Sequence, residues 1–451
     1  MSGTIVFDMR ILLSALYYEK FRIQFQIFQL ADMKYIPRVL EGRLAAMLRQ
    51  SSTVLVTGAR QVGKSTLLRH LFPERRYLSL DDPFLEQQAQ ENGEMFLTLN
   101  PPPVTIDEVQ YAPELFRHIK MCCDANGSPG LFCMTGSQQF HLMRNVTETL
   151  AGRVAVFELG GLSLREIQGD GFGRHFLPTE SYILERGKTV RRPSNPWELI
   201  HRGSYPALQR PEVEWATFYA DYVRTYLERD VRQLSAVQNL NAFRRFLVAA
   251  AARTGEMLNY SNIAEETGKD VNTIRHWISI LEASGIVYLL EPYASSALKR
   301  ATKTPKLYFR DTGLACYLLR WLTPETLANG AASGHIFETF VISEILKSFS
   351  NEGLDYRFFV SYYRGHDKFK THSVDGETET EAEIDLIIEE NGVLHPIEIK
   401  KNPIVKPTAA AVFPVLDKTG ENRRGTGAVI CTCSAAGLLR ESLYQLPFWY
   451  I

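Results

Sequence analysis

The chain has 451 residues, 45% of them apolar and 22% charged, which is the make-up of an ordinary globular protein with enough length for two or three cores. A formal net charge of −1 excludes a molecule that binds nucleic acid through its overall field, so any such role must come from a local patch. Six scattered cysteines, none paired at zinc-ligand spacing with histidines, read as reduced cytosolic thiols rather than a disulfide framework.

Residues 1–32 hold apolar residues interrupted by Asp8, Arg10, Glu19, Lys20 and Arg22, which excludes a membrane-spanning helix and fits a signal peptide poorly. The run beginning Met33-Lys34-Tyr35 looks like a more ordinary start. Residues 1–32 are therefore expected to be an N-terminal extension, the alternative being a packed N-terminal helix. A helical stretch from Pro37 to Arg49 follows, then Thr53–Thr57, a short continuously apolar run of the kind that forms a buried parallel strand. Further strands are predicted at Val104–Ile106 and Leu131–Met134, alternating with helical patterns to about residue 165. That rhythm predicts a parallel sheet with helices on both faces.

Between the first strand and the helical run Thr66–Leu71 lies Gly58-Ala-Arg-Gln-Val-Gly63-Lys64-Ser65, the eight-position Walker A pattern in its expected strand–loop–helix setting. Glycines let backbone N–H groups curl around phosphate oxygens, and the following helix N-terminus adds a partial positive charge. The motif predicts ATP with Mg2+ held by Gly58, Gly63, Lys64, Ser65 and Thr66, with Lys64 on the β and γ phosphates and Ser65 on the metal. Pro103-Val-Thr-Ile-Asp107-Glu108 reads as the partner strand, delivering Asp107 to the magnesium shell and Glu108 to the attacking water.

Leu131–Ser137 is another buried strand ending in hydroxyls, and Leu150-Ala-Gly-Arg153-Val follows it. Together with the loop, these residues resemble the AAA-type ATPases, in the branch (AAA_14) whose members carry an additional C-terminal domain. The resemblance implies a γ-phosphate sensor at Ser137, or at Thr135, and phosphate sensing or an arginine finger at Arg153.

Residues 168–200 are rich in Gly, Pro, Arg and Ser, and 171–214 is expected to be a linker between an ATPase domain at 33–170 and a helical region at 215–312. Within that region Tyr260–Gly285 looks like a helix-turn-helix, with Ser261 as N-cap, Gly268 in the turn and Asp270 capping the second helix. Val271, Ile274, Ile278 and Leu281 fall on one helical face, which leaves Asn272, Thr273, Arg275 and His276 for groove contacts. Ile286–Leu290 and Leu307–Phe309 are predicted wing strands, and the tip between them carries Lys299, Arg300, Lys303 and Lys306. With Arg275, these cations make DNA the candidate partner, through salt-dependent phosphate contacts; a lid or protein-binding surface is the alternative.

The last segment, 313–451, is expected to be a small α+β domain. Asn391-Gly392 is a strong two-residue hairpin signal, and a turn there places Asp385 opposite Glu398 on one face, with Lys400 on the same side. Ile384, Leu386, Ile397 and Ile399 take the other face. Facing carboxylates repel unless a proton or cation lies between them, so a divalent metal is expected there. Pro396 suggests an edge strand.

Asp385…Glu398-Ile-Lys400 resembles the PD-(D/E)xK nuclease motif, and Glu338 on an upstream helix looks like the helical acid of that restriction-endonuclease-like fold. No Pro-Asp precedes the first acid, a departure from that motif. The region as a whole resembles the domain called DUF4143. The leading expectation is an ATPase whose nucleotide state controls a C-terminal DNA-related or partner-binding module. The alternatives are an ATP-gated, magnesium-dependent endonuclease and a protein-binding switch with slow hydrolysis; self-association is open, and no membrane role is expected.

Overall fold

The first strand shows why the chain builds a two-faced sheet. Every residue of β1 (Thr53–Gly58) is buried, but Val54 and Val56 enter one apolar cluster while Leu55 enters another on the opposite face. This computed structural model describes residues 35–137, 149–227, 240–294, 304–373, 376–418 and 423–451. The N-terminal extension expected at 1–32 lies outside them.

Five strands, β1, β2 (Arg76–Ser79), β3 (Val104–Asp107), β4 (Phe132–Ser137) and β5 (Val154–Glu158), form an all-parallel sheet in the order β2-β3-β4-β1-β5. Helices α1 (Glu41–Leu48) and α2 (Lys64–Leu71) pack with Val54 and Val56, and α3 (Leu115–Asn126) packs with Leu55, Ile106 and Met134. Each fully buried Leu or Ile contributes roughly 1.5–3 kcal/mol to this arrangement. The parallel register brings the C-terminal ends of β1, β3 and β4 to one edge, where ligands of such sheets sit.

The segment expected to be a linker is instead core. Phe176, Tyr182, Ile200, Tyr205 and Leu208 are buried within the same cluster that holds Val54 and Val56. Its Gly, Pro and Arg content marks irregular backbone, not solvation: the buried guanidinium of Arg186 pairs with buried Asp170, and the carbonyls of Phe172 and Arg174 accept from the buried Arg165 just before the segment.

The helix-turn-helix is present. Helix α4 (Leu240–Ala252) packs on α5 (Tyr260–Thr267), and Gly268 at φ +65° leads to α6 (Val271–Ala283). Asp270 caps α6 by accepting from Thr273 N–H, as expected, but the cap of α5 is Asn259, whose side chain accepts from Ser261 and Asn262. Ser261 therefore lies inside the first turn. Strands β7 (Val287–Leu290) and β8 (Lys306–Phe309) pair antiparallel, and β6 (Glu256–Met257) closes the other side of β8. Helix α7 (Thr312–Leu318) then leads toward α8 (Ser333–Asn351), the longest helix described.

The C-terminal sheet contains β9 (Val360–Ser373), β10 (Gly376–Glu390), β11 (Val393–Ile399), β12 (Arg423–Arg424), β13 (Gly427–Cys431), β14 (Gly437–Arg440) and β15 (Leu443–Pro447). The order is β14-β15-β13-β11-β10-β9, with β12 also beside β11. Asn391 and Gly392, both at positive φ, make the tight turn, and the register runs from Glu390 opposite Val393 to Leu386 opposite Ile397, as predicted. Two expectations change. Pro396 is in an interior strand: β11 pairs β12 through 393–394 and β13 through 397–399, so the proline's missing N–H falls between the two ladders. Ile384 is buried in a different cluster from Leu386, Ile397 and Ile399, because the β9–β10 register shifts between Ile384 and Ile387. Among the described residues no helix is long and apolar enough to cross a membrane.

Candidate functional site

The phosphate loop is shaped by close backbone approach. A Cβ on Gly58, at φ +143°, would lie 2.1 Å from the carbonyl oxygen of Leu159, and Gly63 at φ +95° caps α2. Lys64 is buried, with its ammonium 3.0 Å from the Gly58 carbonyl and 2.9 Å from that of Ala59. Arg38, which sequence reasoning did not single out, braces the loop from below by donating to the Val62 carbonyl at 2.9 Å while paired with Glu166 at 3.0 Å.

Asp107 and Ser65 meet at the mouth of the loop. The Ser65 hydroxyl lies 2.8 and 2.9 Å from the two oxygens of Asp107. Two further hydroxyls converge on the same carboxylate, Tyr77 at 2.5 Å and Thr135. Burial, and then the Asp107 charge, push the Tyr77 phenol well above its usual range, so it remains a donor. Thr135 Oγ1 also accepts from the Glu108 N–H at 3.2 Å, which ties β4 to the turn after β3. Glu108 adopts the left-handed conformation at φ +55°, a position that costs a non-glycine residue free energy, and its carboxylate accepts from Gln110. Ser65 and Asp107 supply the hard oxygen donors that magnesium prefers, and their separation fits two neighbours in one shell.

Of the two candidate sensors, Thr135 is brought to Asp107 and Glu108. Ser137 pairs with Gly58 through the backbone, and its side chain lies outside the described residues. Arg153 is elsewhere. It precedes β5 where Thr53 begins β1, and it is ion-paired with Asp124 of α3. A six-residue strand separates that edge from Gly58, roughly 17 Å at 3.3 Å per residue. Arg153 therefore does not reach a nucleotide on its own loop. Thr66 follows Ser65 in the first turn of α2.

A second polar cluster is buried in the C-terminal half. Glu338 of α8, Asp385 of β10 and Glu398 of β11 lie close enough for each charge to act on the others. Lys400 reaches Glu398 at 2.5 Å, and Asp385 accepts from the Ile399 N–H at 2.8 Å. The surprise is β8. Lys306, expected at a DNA-facing tip, is buried; its ammonium lies 2.5 Å from Glu383 and 3.8 Å from Glu338. Tyr308 donates to Glu338 at 2.6 Å. The two-residue period puts Lys306 and Tyr308 on one face of β8, a signal that was readable only with knowledge of which face meets α8.

The charges in this cluster oppose one another. Burial and the Asp385 charge raise Glu338 to about 7, and the same two causes raise Glu398 to about 8. Burial works against the Lys306 ammonium, yet Glu338, Asp385 and Glu383 outweigh it and hold its pKa above the usual lysine value. Glu398 Oε2 is buried without a hydrogen-bond partner. Among the described residues no group of three or more His, Cys, Asp or Glu side chains is close enough to hold a metal ion. Two lysines, Lys306 and Lys400, supply the countercharge.

On the helix-turn-helix, Arg275 and His276 are exposed, with the Arg275 guanidinium stacked 4.4 Å over the Tyr260 ring. Lys299, Arg300 and Lys303 lie outside the described residues.

The loop, its carboxylate partner and the parallel sheet define a P-loop ATPase domain of the AAA type. Residues 50–168 match the profile of the AAA domain family, 333–450 that of a domain of unknown function (DUF4143), and 195–325 that of another (DUF8612). The chain thus carries an AAA domain followed by a DUF4143 domain, as the motifs implied. It is similar to uncharacterized proteins of Mycobacterium bovis (Mb2031c) and Mycobacterium tuberculosis (Rv2008c), each 27% identical over 373 residues, spanning 80% of this chain and 73% of theirs. Among solved structures, the Walker-type ATPase PABY2304 of Pyrococcus abyssi is similar at TM-score 0.39 and 17% identity, covering 63% of this chain and 96% of that one. The Thermotoga maritima RuvB Holliday junction branch migration motor gives 0.27 and 16%, covering 55% and 85%.

Proposed function

We propose that this chain is a magnesium-dependent ATPase whose nucleotide state controls its C-terminal module. The observation that carries the reading is the Ser65–Asp107 pair, held at 2.8 and 2.9 Å beside the buried ammonium of Lys64. When bound, magnesium neutralises phosphate charge and orients the β and γ groups. Ser65 and Asp107 would hold it, Asp107 being aligned by Tyr77 and Thr135. Lys64 would leave the carbonyls of Gly58 and Ala59 for phosphate oxygens, which are stronger acceptors for an ammonium. Glu108 would orient or deprotonate the attacking water once Gln110 releases it. The test is ATP turnover by the intact chain against Lys64→Ala and Glu108→Gln. Loss of binding in the first and of turnover alone in the second supports the assignment; unchanged tight ATP binding by Lys64→Ala ends it.

A second reading, an ATP-gated endonuclease, draws its support from one observation, the buried Glu398 oxygen with no hydrogen-bond partner beside Lys400, a donor that a divalent cation could use once the carboxylates close on it. Plasmid incubated with the chain, ATP and Mn2+ should then be cut, and Asp385→Ala should stop it. Cutting that survives Asp385→Ala would assign the activity to another site. Commitment of Lys306 to carboxylates removes one of the five cations expected to meet DNA, so Arg275 is the described residue left for that role.

A further inference from the structure

Strand β8 touches both sites. Lys306 and Tyr308 point into the carboxylate cluster, and two residues further along the same face comes Arg310. Its guanidinium is ion-paired with Glu158 and also donates to Tyr356. Glu158 ends β5, pairs in register with Thr57, and so stands beside the residue that enters the phosphate loop. Arg357 completes the cluster by donating to Glu158 at 3.1 Å. Burial alone would raise the Glu158 pKa, but Arg310 and Arg357 outweigh it and keep the carboxylate ionised.

The connection is stiff. β8 is the middle strand of three, held by β6 and β7. The four-residue step from Lys306, which opens β8, to Arg310, the residue just past its end, spans about 13 Å. Helix α8 runs a parallel course: Glu338 lies in the cluster, Ser343 donates to the Arg310 carbonyl at 2.7 Å, and Lys347 reaches the Leu162 carbonyl at 3.0 Å, just after β5. The nine residues from Glu338 to Lys347 also cover about 13 Å. Two rigid elements of equal reach therefore join the same two places.

We infer that the carboxylate cluster and the phosphate loop are coupled through β8, with Lys306 and Tyr308 as positioning residues at one end and the Arg310–Glu158 ion pair at the other. A change in occupancy or charge at the cluster moves Lys306, the middle strand transmits the shift, and Glu158 passes it to the end of β1. Coupling is reciprocal, so nucleotide on the loop biases the cluster by the same factor. This deepens the proposed control of the C-terminal module and rests on it.

The experiment is a double-mutant cycle read as the dissociation constant of mant-ATP with Mg2+ on the full chain. Lys306→Met and Tyr308→Phe lie about 13 and about 7 Å along the strand from Arg310, the partner of Glu158. Each is expected to shift that constant by about fivefold, and the shift should disappear in a Glu158→Gln background. Shifts of equal size in both backgrounds, or none in either, overturn the coupling. Glu158→Gln leaves Arg310 with less compensation; if it does not fold, Glu158→Asp, which keeps the charge but shortens the reach to Arg310, takes its place in the cycle. Failure of the unmodified chain to bind mant-ATP would remove the nucleotide reading and the coupling together, whereas binding with additive shifts removes the coupling alone.

Discussion

The phosphate loop and the carboxylate cluster solve opposite electrostatic problems. At the loop every strong charge described is met: Lys64 lies on two carbonyls, and Asp107 accepts from three hydroxyls. At the cluster the carboxylates outnumber the lysines, Glu338 and Glu398 are pushed toward their neutral forms, and one oxygen has no partner. A satisfied site is ready to exchange its internal partners for a ligand's. An unsatisfied one stores repulsion that a proton or cation relieves, and the difference suggests that the two sites respond to different inputs.

Lys64→Ala tests the first half of that contrast with the largest expected effect. Removing the ammonium should weaken ATP binding by two orders of magnitude or more, on the order of 3 kcal/mol in titration calorimetry. Glu108→Gln comes next. It should keep ATP affinity within about threefold while turnover falls on the order of 10²-fold, the range of a general base. Equal losses of affinity and turnover would place Glu108 in nucleotide binding instead.

The cluster should be visible in the pH dependence of stability. Carboxyls whose folded pKa is raised bind protons more tightly in the native than in the unfolded chain, so their contribution is fully present below about pH 4.5 and lost as pH rises through 7 to 8. At about 1.4 kcal/mol per pH unit, Glu338 alone accounts for at most about 3 kcal/mol. Melting temperature should therefore fall between pH 5 and pH 8, and Glu338→Gln should flatten that fall. An unchanged slope in the variant would mean that Lys306 already compensates the ionised carboxylate.

The two sites also differ in how much of them could be read from the chain. The loop is contiguous, and its glycines, lysine and serine carry their geometry locally; Asp107 and Glu108 follow from one apolar strand. For the hairpin, Asn391-Gly392 sets the register that pairs Leu386 with Ile397 and brings Asp385 next to the end of β11. What remained hidden depends on packing between distant segments. Arg38, Tyr77 and Arg310 sit in stretches with no motif, and Lys306 looks like a solvated cation until α8 covers it. Composition misled at 171–214, where Phe176, Tyr182 and Ile200 are core and Arg186 serves a buried ion pair, and at Pro396, where a break between two ladders accommodates a proline in an interior strand.

Arg153 separates the local and the packed parts of the site most economically. Its motif placed it with the phosphate chemistry, but it precedes β5 at the end of the sheet opposite the loop, paired with Asp124 on a largely open surface. Water screens an exposed pair of this kind, so it adds little to stability. Arg153→Ala should accordingly lower the melting temperature by no more than a few degrees and leave ATP affinity within about twofold, since affinity at the loop is set by Lys64 and the backbone N–H groups. Turnover is the discriminating measurement. If a single copy is sufficient, it should match the unmodified chain at every protein concentration. If turnover falls in Arg153→Ala while affinity holds, and the unmodified chain gains specific activity with concentration, then the guanidinium reaches the phosphates of a neighbouring copy, because its own are about 17 Å away. In that case the end of the parallel sheet opposite the phosphate loop would be an assembly surface.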